Sequence, residues 1–464
     1  MAYVTTNPFT GKVEAEFPTA THEDVEAAIM KADATFHNWK NLPISERVKV
    51  LAKAAEILKE ERHEYAKVLT TEMGKLIGEA ELEVDLCIGM LEYYVEKGEE
   101  LLAPEVIPAK GFADGEVKAY FEPLGVIYAV EPWNFPYYQV IRIGAPQFTA
   151  GNTIVLKHAS IVPQSALKME ELFRRAGAPE GLLVNIFASH DATEQILSDP
   201  RVRGVALTGS EPAGAAVSAT ASKYIKKSTL ELGGADAFIV LDDADVEKAA
   251  KWAAFGRHWN GGQVCCSSKR LIVVEPLYER FLEVYRDEVK KFVLGDPMDP
   301  ATTLAPLSSA SAVDGLKKQV EEAKARDGVT IEEFDFEVPE TGHFFAPILM
   351  TDIPAGSQTS REEFFGPVTQ LYRVKDEAEA IEVANASPFG LGGSVFTSDK
   401  ERFTDVARKL DTGMVYWNQP TGVKADVPFG GTKLSGFGRE LIEWGLKEFV
   451  NQKVVVETKL DGSF

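Results

Sequence analysis

Short apolar segments alternate with helical stretches through the middle of the chain, and few folds are compatible with this rhythm. The apolar segments are TIVLK (153–157), LLVNIF (182–187) and VALTG (205–209). Helical patterns of roughly ten residues or more separate them. The predicted fold class is therefore α/β, with a doubly wound, Rossmann-like parallel sheet. In such sheets ligands bind at the carboxyl ends of the strands.

A second alternating series predicts another α/β unit. It runs from AFIVL (237–241) through RLIVVE (270–275) to GMVYWN (413–418). A chain of 464 residues exceeds what one hydrophobic core usually supports, so two or three domains are expected. Helical spacing also predicts three helices before the first sheet, at residues 23–40, 45–73 and 81–100.

Two β-rich segments stand outside both series. VKAYFEPLGVIYAV (117–130) contains two β-rich runs around a Pro-Leu-Gly turn, and it is predicted to form a hairpin. VVVET (454–458) predicts one more strand. Together they indicate a small β element.

The composition is that of an ordinary globular protein, with 45% hydrophobic and 26% charged residues. A formal charge of −22 disfavours nucleic-acid binding. Three cysteines cannot build a disulfide framework, which favours a reducing compartment. MAYVTTNPFTGKVEAEF lacks the features of a signal peptide, and no run approaches the roughly 18 apolar residues that span a bilayer. We therefore expect a cytoplasmic protein with no membrane or nucleic-acid partner.

Two of the cysteines, Cys265 and Cys266, are adjacent in NGGQVCCSSKR (260–270). Structural cysteines normally lie among aliphatic residues, whereas this segment is polar and rich in glycine. A zinc site would need further Cys or His at ligand spacing, and none is near, so no metal is predicted. A nucleophile would need an oxyanion donor, a base for a later water step and an acceptor for what leaves. An inert thiol is the remaining alternative.

Two polar residues and one turn offer the required chemistry. Asn134 stands between two prolines in EPWNFPYY (131–138), where it would serve as an oxyanion donor or as a helix cap. Glu231 ends a β-rich run at LELGGAD (230–236), so its carboxylate would face a cleft or be solvated at the surface. LTGSEPAG (207–214) reads as a strand, a Gly-Ser turn and a helix start, which can bind phosphate, although it lacks the full GxGxxG pattern.

Taken in order, seven segments resemble motifs of the aldehyde dehydrogenase superfamily, and the resemblance covers nearly the whole chain. They are PWNFP (132–136), Lys157 after a strand, LTGS (207–210), LELGG (230–234), GQVC (262–265), EEFFGP (362–367) and PFGGTKLSGFGRE (428–440). The sequence separation between Glu231 and Cys265 also resembles that of the superfamily. Within the superfamily, NFPYYQVIR (134–142) and VLKHAS (155–160) look most like bacterial succinate-semialdehyde dehydrogenases.

This resemblance assigns a role to each matching residue. It implies that Cys265, two places after Gln263, is the nucleophile, that Asn134 and the Cys265 N–H form the oxyanion hole, and that Glu231 activates water. It also implies the cofactor and tunnel residues, which are Glu363 for the nicotinamide ribose, Lys157 for the adenosine ribose, Gly209 and Ser210 for the phosphates, and Trp133, Phe365 and Phe429 for the tunnel walls.

The implied reaction is chemically coherent. Addition of the thiolate to an aldehyde gives a tetrahedral alkoxide, which passes hydride to NAD(P)⁺, and water deprotonated by Glu231 hydrolyses the resulting thioester. A hydride acceptor explains why a thiol enzyme also carries a dinucleotide fold. The competing function is a thiol hydrolase or acyltransferase without redox chemistry. It would need a histidine base, and His258 is the nearby candidate.

The substrate is predicted to carry a carboxylate. Arg142 lies eight residues after Asn134, where the family carries an arginine for a substrate carboxylate; a surface salt bridge is the alternative. Some members have a second arginine where this chain has Trp259, but Lys424, four residues before PFGG, could supply the charge. Ser267 replaces the regulatory cysteine of some members. Succinate semialdehyde is the predicted substrate, with another aliphatic aldehyde or semialdehyde as the alternative.

The cofactor is predicted to be NADP, with NAD also accepted. Ser160 stands where NAD-preferring members often have a glutamate that grips the adenosine ribose. A carboxylate there would repel a 2′-phosphate, whereas Ser160 and Lys157 could bind it.

The resemblance also suggests how the domains are arranged. Residues 1–116 and 131–234 would form the dinucleotide-binding domain, and 235–425 the catalytic domain. Residues 117–130 and 440–464 would form a β oligomerisation element. A homodimer or homotetramer is therefore expected, since exposed strand edges invite pairing.

Overall fold

Parallel strands with helices between them form the body of the computed structural model, which describes residues 2–109 and 115–460. In chain order, the strands are β1 (Tyr3–Thr6), β2 (Val13–Phe17), β3 (Glu105–Val106), β4 (Glu116–Pro123), β5 (Val126–Glu131), β6 (Thr153–His158), β7 (Leu183–Asn185), β8 (Val202–Thr208), β9 (Lys227–Glu231), β10 (Ala237–Val240), β11 (Arg270–Val274), β12 (Thr330–Glu333), β13 (Ile348–Thr351), β14 (Val368–Val374), β15 (Phe389–Gly390), β16 (Gly393–Phe396), β17 (Tyr416–Trp417), β18 (Thr432–Lys433), β19 (Gly436–Phe437) and β20 (Val450–Glu457).

The first four helices follow one another between β2 and β3, and most of the others lie between strands. The helices are α1 (His22–Trp39), α2 (Ile44–Glu60), α3 (Arg62–Met73), α4 (Ile77–Leu101), α5 (Pro136–Ala150), α6 (Pro163–Arg175), α7 (Ala192–Ser198), α8 (Glu211–Lys223), α9 (Val246–His258), α10 (Glu275–Val289), α11 (Ala310–Asp327), α12 (Glu377–Asn385), α13 (Lys400–Lys409) and α14 (Ile442–Lys447). The helix predicted at 45–73 is two helices, because the chain turns at Glu61 between α2 and α3.

The first sheet has the strand order β19-β9-β8-β5-β6-β7. Strands β5 to β9 are parallel, and β19 pairs antiparallel with β9. Alternate residues of β5 enter different apolar clusters: Ile127 and Ala129 pack on one face, and Val126 and Tyr128 on the other. The sheet is therefore covered on both faces, which confirms the predicted doubly wound α/β architecture.

The second sheet has the order β12-β13-β14-β11-β10-β16-β17 and is parallel apart from its β12 edge. Phe238 and Val240 of β10 belong to one apolar cluster, and Ala237 and Ile239 to another. This sheet is also buried on both sides. The segment Leu232–Asp236 joins it to the end of β9.

The prediction of a hairpin at 117–130 is wrong. β4 pairs antiparallel with β20 and β3 in a separate three-stranded sheet. β5, after the Pro-Leu-Gly turn, lies between β8 and β6 in the first sheet and is parallel to both. The two runs therefore leave the turn for different sheets, and residues 126–130 belong with the first sheet.

Candidate active site

Cys265 lies in the loop that connects α9 to β11. A 3₁₀ turn, Trp259–Gly262, opens this loop, and its Asn260 and Gly261 adopt left-handed φ angles of 53° and 64°. Gly262 packs so tightly that a Cβ there would lie 2.6 Å from the Gly366 carbonyl carbon. The tight turn leaves Cys265 partly exposed, whereas the neighbouring Cys266 is fully buried.

Asn134 is tied to this loop from the other sheet. It follows β5, and its side-chain amide donates to the Gln263 carbonyl at 3.0 Å, while Asn260 donates to the Asn134 carbonyl, also at 3.0 Å. Within the described residues, the second amide N–H of Asn134 and the backbone N–H of Cys265 have no hydrogen-bond acceptor. An oxyanion hole needs such free donors, and one of these two lies on the nucleophile loop while the other belongs to a side chain hydrogen-bonded to that loop.

Helix α5, which follows Asn134, is fixed by a remote carboxylate. One Glu83 oxygen accepts the backbone N–H groups of Tyr137 and Tyr138 at 2.9 and 3.0 Å. The other oxygen pairs with the buried Lys75. This cap satisfies donors at the start of the helix and so holds the turn that carries Asn134.

Glu231 is the last residue of β9 and is almost fully buried. Neither carboxylate oxygen has a hydrogen-bond partner in the described part of the chain. Burial, with help from Glu440 and Cys265, raises the pKa of Glu231 well above its ordinary value, although Arg142 and Arg439 oppose the shift. An unpartnered carboxylate with a raised pKa is a stronger base than an ordinary glutamate and is suited to accept a proton from water.

Arg142 lies inside a group of buried carboxylates. Its guanidinium forms an ion pair with Glu440 and donates to the Thr208 hydroxyl at 2.7 Å. It also lies 5.0 Å from the centre of the Phe429 ring. With the guanidinium enclosed and partnered, Arg142 could bind a substrate carboxylate only if the pair with Glu440 opened. That role therefore stays a prediction.

The predicted adenosine-side residues line the ends of β6 and β8. Lys157, near the end of β6, is buried and has no acidic partner in the described residues, and burial lowers its pKa. Ser160 follows two residues after this strand. Ser210 precedes α8 but makes no side-chain capping bond, so the first N–H groups of this helix are open to a ligand. Gly209, without a side chain, allows close approach there.

Glu363 and the predicted aromatic walls meet near the nucleophile. One Glu363 oxygen accepts the Gly234 N–H at 3.2 Å and lies 3.0 Å from the Lys269 ammonium. The rings of Trp133 and Phe365 pack edge to face, with centroids 5.7 Å apart. Residues that are distant in sequence are thus brought together beside Cys265.

A cavity of about 400 Å³ adjoins the nucleophile loop at Trp259 and Asn260. Its other walls include Phe135 and Tyr138 from the Asn134 turn and α5, and the segment 419–423. Lys424, next to this segment, is exposed and has no acidic partner in residues 2–109 and 115–460. Five of the lining side chains are aromatic, which suits the carbon chain of a small organic substrate; they are Phe135, Tyr138, Trp252, Phe255 and Trp259.

His258 is not placed to act as a base for Cys265. It is buried, and its Nδ1 contacts the Ala254 carbonyl at 2.8 Å within its own helix. Burial lowers the pKa of His258 to about 3. A non-redox thiol hydrolase therefore lacks the histidine that it would need.

The structure adds site residues that sequence reasoning missed, which are Lys75, Glu83, Arg257, Lys269 and Glu440. All five are charged residues in or beside a motif or a buried helix. This position is the sequence feature that could have identified them. In the described residues, no group of three or more His, Cys, Asp or Glu side chains could hold a metal ion. No described helix is long and apolar enough to cross a bilayer.

Comparison with known proteins gives this arrangement a family. The model of the aldehyde dehydrogenase family matches residues 2–455. The chain is 46% identical to the NADP(+) succinate-semialdehyde dehydrogenase of Deinococcus radiodurans, over 98% of this chain and 94% of that protein. It is 41% identical to the corresponding Mycobacterium avium protein, over 98% and 96%.

A solved structure is equally similar. The succinic semialdehyde dehydrogenase of Streptococcus pyogenes, in complex with NADP⁺, superposes with a TM-score of 0.95 at 43% identity, covering 98% of this chain and 99% of that one. The fold and these relatives define an oxidoreductase of α/β architecture. The chain belongs to the aldehyde dehydrogenase family.

Proposed function

We propose that this protein oxidises succinate semialdehyde to succinate with NADP⁺, through Cys265. One observation supports the chemistry: in the described residues, Cys265 and Asn134, which is hydrogen-bonded to the Cys265 loop, each keep an N–H without an acceptor, and the buried carboxylate of Glu231 has no hydrogen-bond partner. Support for the substrate and cofactor comes from the Deinococcus, Mycobacterium and Streptococcus proteins, whose names state both.

The residues divide the reaction between them. The Cys265 sulfur bonds to the aldehyde carbon, and the Asn134 amide and Cys265 N–H hold the oxyanion that forms. Bound NADP⁺ supplies the hydride acceptor. Glu231 then takes a proton from water, and the hydroxide attacks the thioester carbonyl. The carboxylic acid is released, and the Cys265 thiol is regenerated.

The residues at the cofactor end fit NADP. Lys157 is a buried ammonium without a carboxylate beside it, and Ser160 places no negative charge near it. The open start of α8 offers N–H groups for the phosphates, and the Glu363 carboxylate can accept from a ribose hydroxyl. Ser160→Glu should weaken NADP⁺ binding far more than NAD⁺ binding, and the ratio of the two Kd values measures this. An unchanged ratio would place the 2′-phosphate elsewhere.

The substrate carboxylate would be bound by Lys424, by Arg142, or by both. A charge-assisted hydrogen bond contributes about 1.5–3 kcal/mol, so Lys424→Met should lower kcat/KM for succinate semialdehyde about tenfold or more. Butyraldehyde has the same length and no carboxylate, and it should be nearly unaffected. Arg142→Leu should show the same selectivity if Arg142 binds the carboxylate, and an equal loss for both aldehydes if it supports Glu440.

The primary experiment is absorbance of the reduced nicotinamide with succinate semialdehyde and butyraldehyde, each tested with NADP⁺ and NAD⁺. We expect the highest kcat/KM for the semialdehyde with NADP⁺. Faster oxidation of butyraldehyde with either cofactor would favour the alternative, an enzyme for other aliphatic aldehydes.

We further propose a homodimer or homotetramer that acts in the cytoplasm. The edge strand β20 of the three-stranded sheet exposes Val454 and Val456, at 56% and 46%, and because they pair with Ala119 and Val117 of β4 they lie on one face of the sheet. The three cysteines are unpaired, as expected in a reducing compartment.

A further inference from the structure

A buried lysine lies directly behind the nucleophile. Lys269 follows Cys265 by four residues and is only 2% exposed. Its ammonium donates to the carbonyls of Val264 and Cys265, both at 2.6 Å. The same ammonium lies 3.0 Å from a Glu363 oxygen. One cation therefore contacts both the nucleophile's own peptide and the residue predicted to hold the nicotinamide ribose.

Burying an ammonium is costly unless it is paired and hydrogen-bonded. Lys269 meets that condition with one carboxylate and two carbonyl oxygens, so its position is well determined. A neutral residue could fill the same space without this cost. The buried positive charge therefore calls for an explanation. Its effect on the nearby Cys265 thiol offers one.

We propose that Lys269 is a positioning residue that fixes the Cys265 peptide and favours the thiolate form of Cys265, with Glu363 anchoring the ammonium. The proposal rests on the proposed function only in that Cys265 is the nucleophile. A nearby positive charge stabilises a thiolate, and the thiolate is the reactive form of cysteine.

Several groups around Cys265 act on its ionisation. The hydrogen bond with Cys266 lowers the pKa of Cys265 most, burial raises it, and the positive charges of Lys269 and Arg142 lower it. The negative charge of Glu363 opposes the thiolate, and Glu231 and Cys265 likewise disfavour each other's charged forms. Lys269 is thus one of two cations that offset two carboxylates.

Alkylation of Cys265 by iodoacetamide tests the proposal without aldehyde or cofactor. The rate at Cys265, followed by mass spectrometry across the pH range, gives the midpoint of thiolate formation. Lys269→Met and Lys269→Gln both remove the charge, and each should raise the midpoint by about one pH unit. Alkylation below the midpoint should then be about tenfold slower. Lys269→Arg keeps the charge and should stay near the wild-type midpoint.

Two further variants make the test specific. Lys226 also donates to two carbonyls, of Asp199 and Val202, at 3.0 and 2.6 Å, but at the opposite end of β8 and β9 from the site. Lys226→Met should therefore leave the midpoint unchanged. Glu363→Gln removes a negative charge, while the Val264 and Cys265 carbonyls still hold Lys269, so it should lower the midpoint.

The outcomes separate clearly. An unchanged midpoint in Lys269→Met and Lys269→Gln overturns the proposal, as does a midpoint that stays or rises in Glu363→Gln. If Lys269→Met does not fold, Lys269→Gln still decides, because its amide can donate to the carbonyls that Lys269 contacts. Failure to oxidise succinate semialdehyde would refute the proposed substrate but would not alter these thiol measurements.

Discussion

The two adjacent cysteines differ in their surroundings, and we expect them to differ in function. Cys265 is partly exposed and its backbone N–H has no acceptor among the described residues, whereas Cys266 is fully buried. Cys265→Ala should therefore abolish formation of reduced cofactor. Cys266→Ala should retain most turnover, with its pH profile shifted upward because the hydrogen bond that lowers the pKa of Cys265 is lost. Steady-state rates across the pH range test both expectations, and equal loss in the two variants would contradict the assignment.

Glu231 should act after hydride transfer. In Glu231→Gln the first turnover should proceed and thioester hydrolysis should slow, so rapid mixing should show a burst of reduced cofactor before a slow steady state. A base must be deprotonated to act, and burial raises the pKa of Glu231 well above that of an ordinary glutamate. Wild-type hydrolysis should therefore rise with pH through this raised pKa, and the rise should disappear in Glu231→Gln. Loss of the burst itself would place Glu231 in an earlier step.

The nucleophile loop depends on one arginine at the end of α9. Arg257 is fully buried and donates to the Gly262, Phe364, Gly366 and Val368 carbonyls and to the Ser267 hydroxyl. It thereby ties the loop to the segment that follows Glu363.

Arg257→Met should leave these acceptors unsatisfied and lower the free energy of unfolding by about 3 kcal/mol or more, measured by urea denaturation. Arg373→Met is the matched control. Arg373 pairs with Glu275 and Glu279 on the surface, where such pairs contribute about 1 kcal/mol or less. Similar losses in the two variants would mean that the loop is held by other contacts.

Both parallel sheets could be predicted from the alternation of strands and helices, because strands buried on both faces leave continuous apolar runs in the sequence. The partner of a strand leaves no such local trace. The runs before and after the Pro-Leu-Gly turn look like one hairpin, yet β4 pairs with the distant β20 and β5 with β6 and β8. The same limit applies to the site. Motifs indicated Cys265, but the contact of Lys269 with Glu363 joins residues far apart in the chain.

Assembly of the complete protein should depend on the three-stranded sheet. We expect light scattering after size exclusion to give a mass of two or four chains, where one chain is 50.8 kDa. Replacing both Val454 and Val456 with Asp should shift the protein toward the single-chain mass, because each charge would have to be desolvated in an apolar contact. Val338→Asp, at an exposed valine outside this sheet, should have no effect. A wild-type protein of 50.8 kDa would refute the proposed oligomer.

The wall of the cavity beside the nucleophile comes largely from parts of the chain that hold none of the reacting groups. Leu82 of α4, Trp252 and Phe255 of α9 and the segment 419–423 shape it, while Arg257, which does not line it, secures the nucleophile loop. Amino-acid replacements in the cavity wall can therefore alter which aldehyde fits, while Cys265 and Glu231 keep their positions. Such replacements should change the range of aldehydes that the protein accepts without moving the groups that react with them.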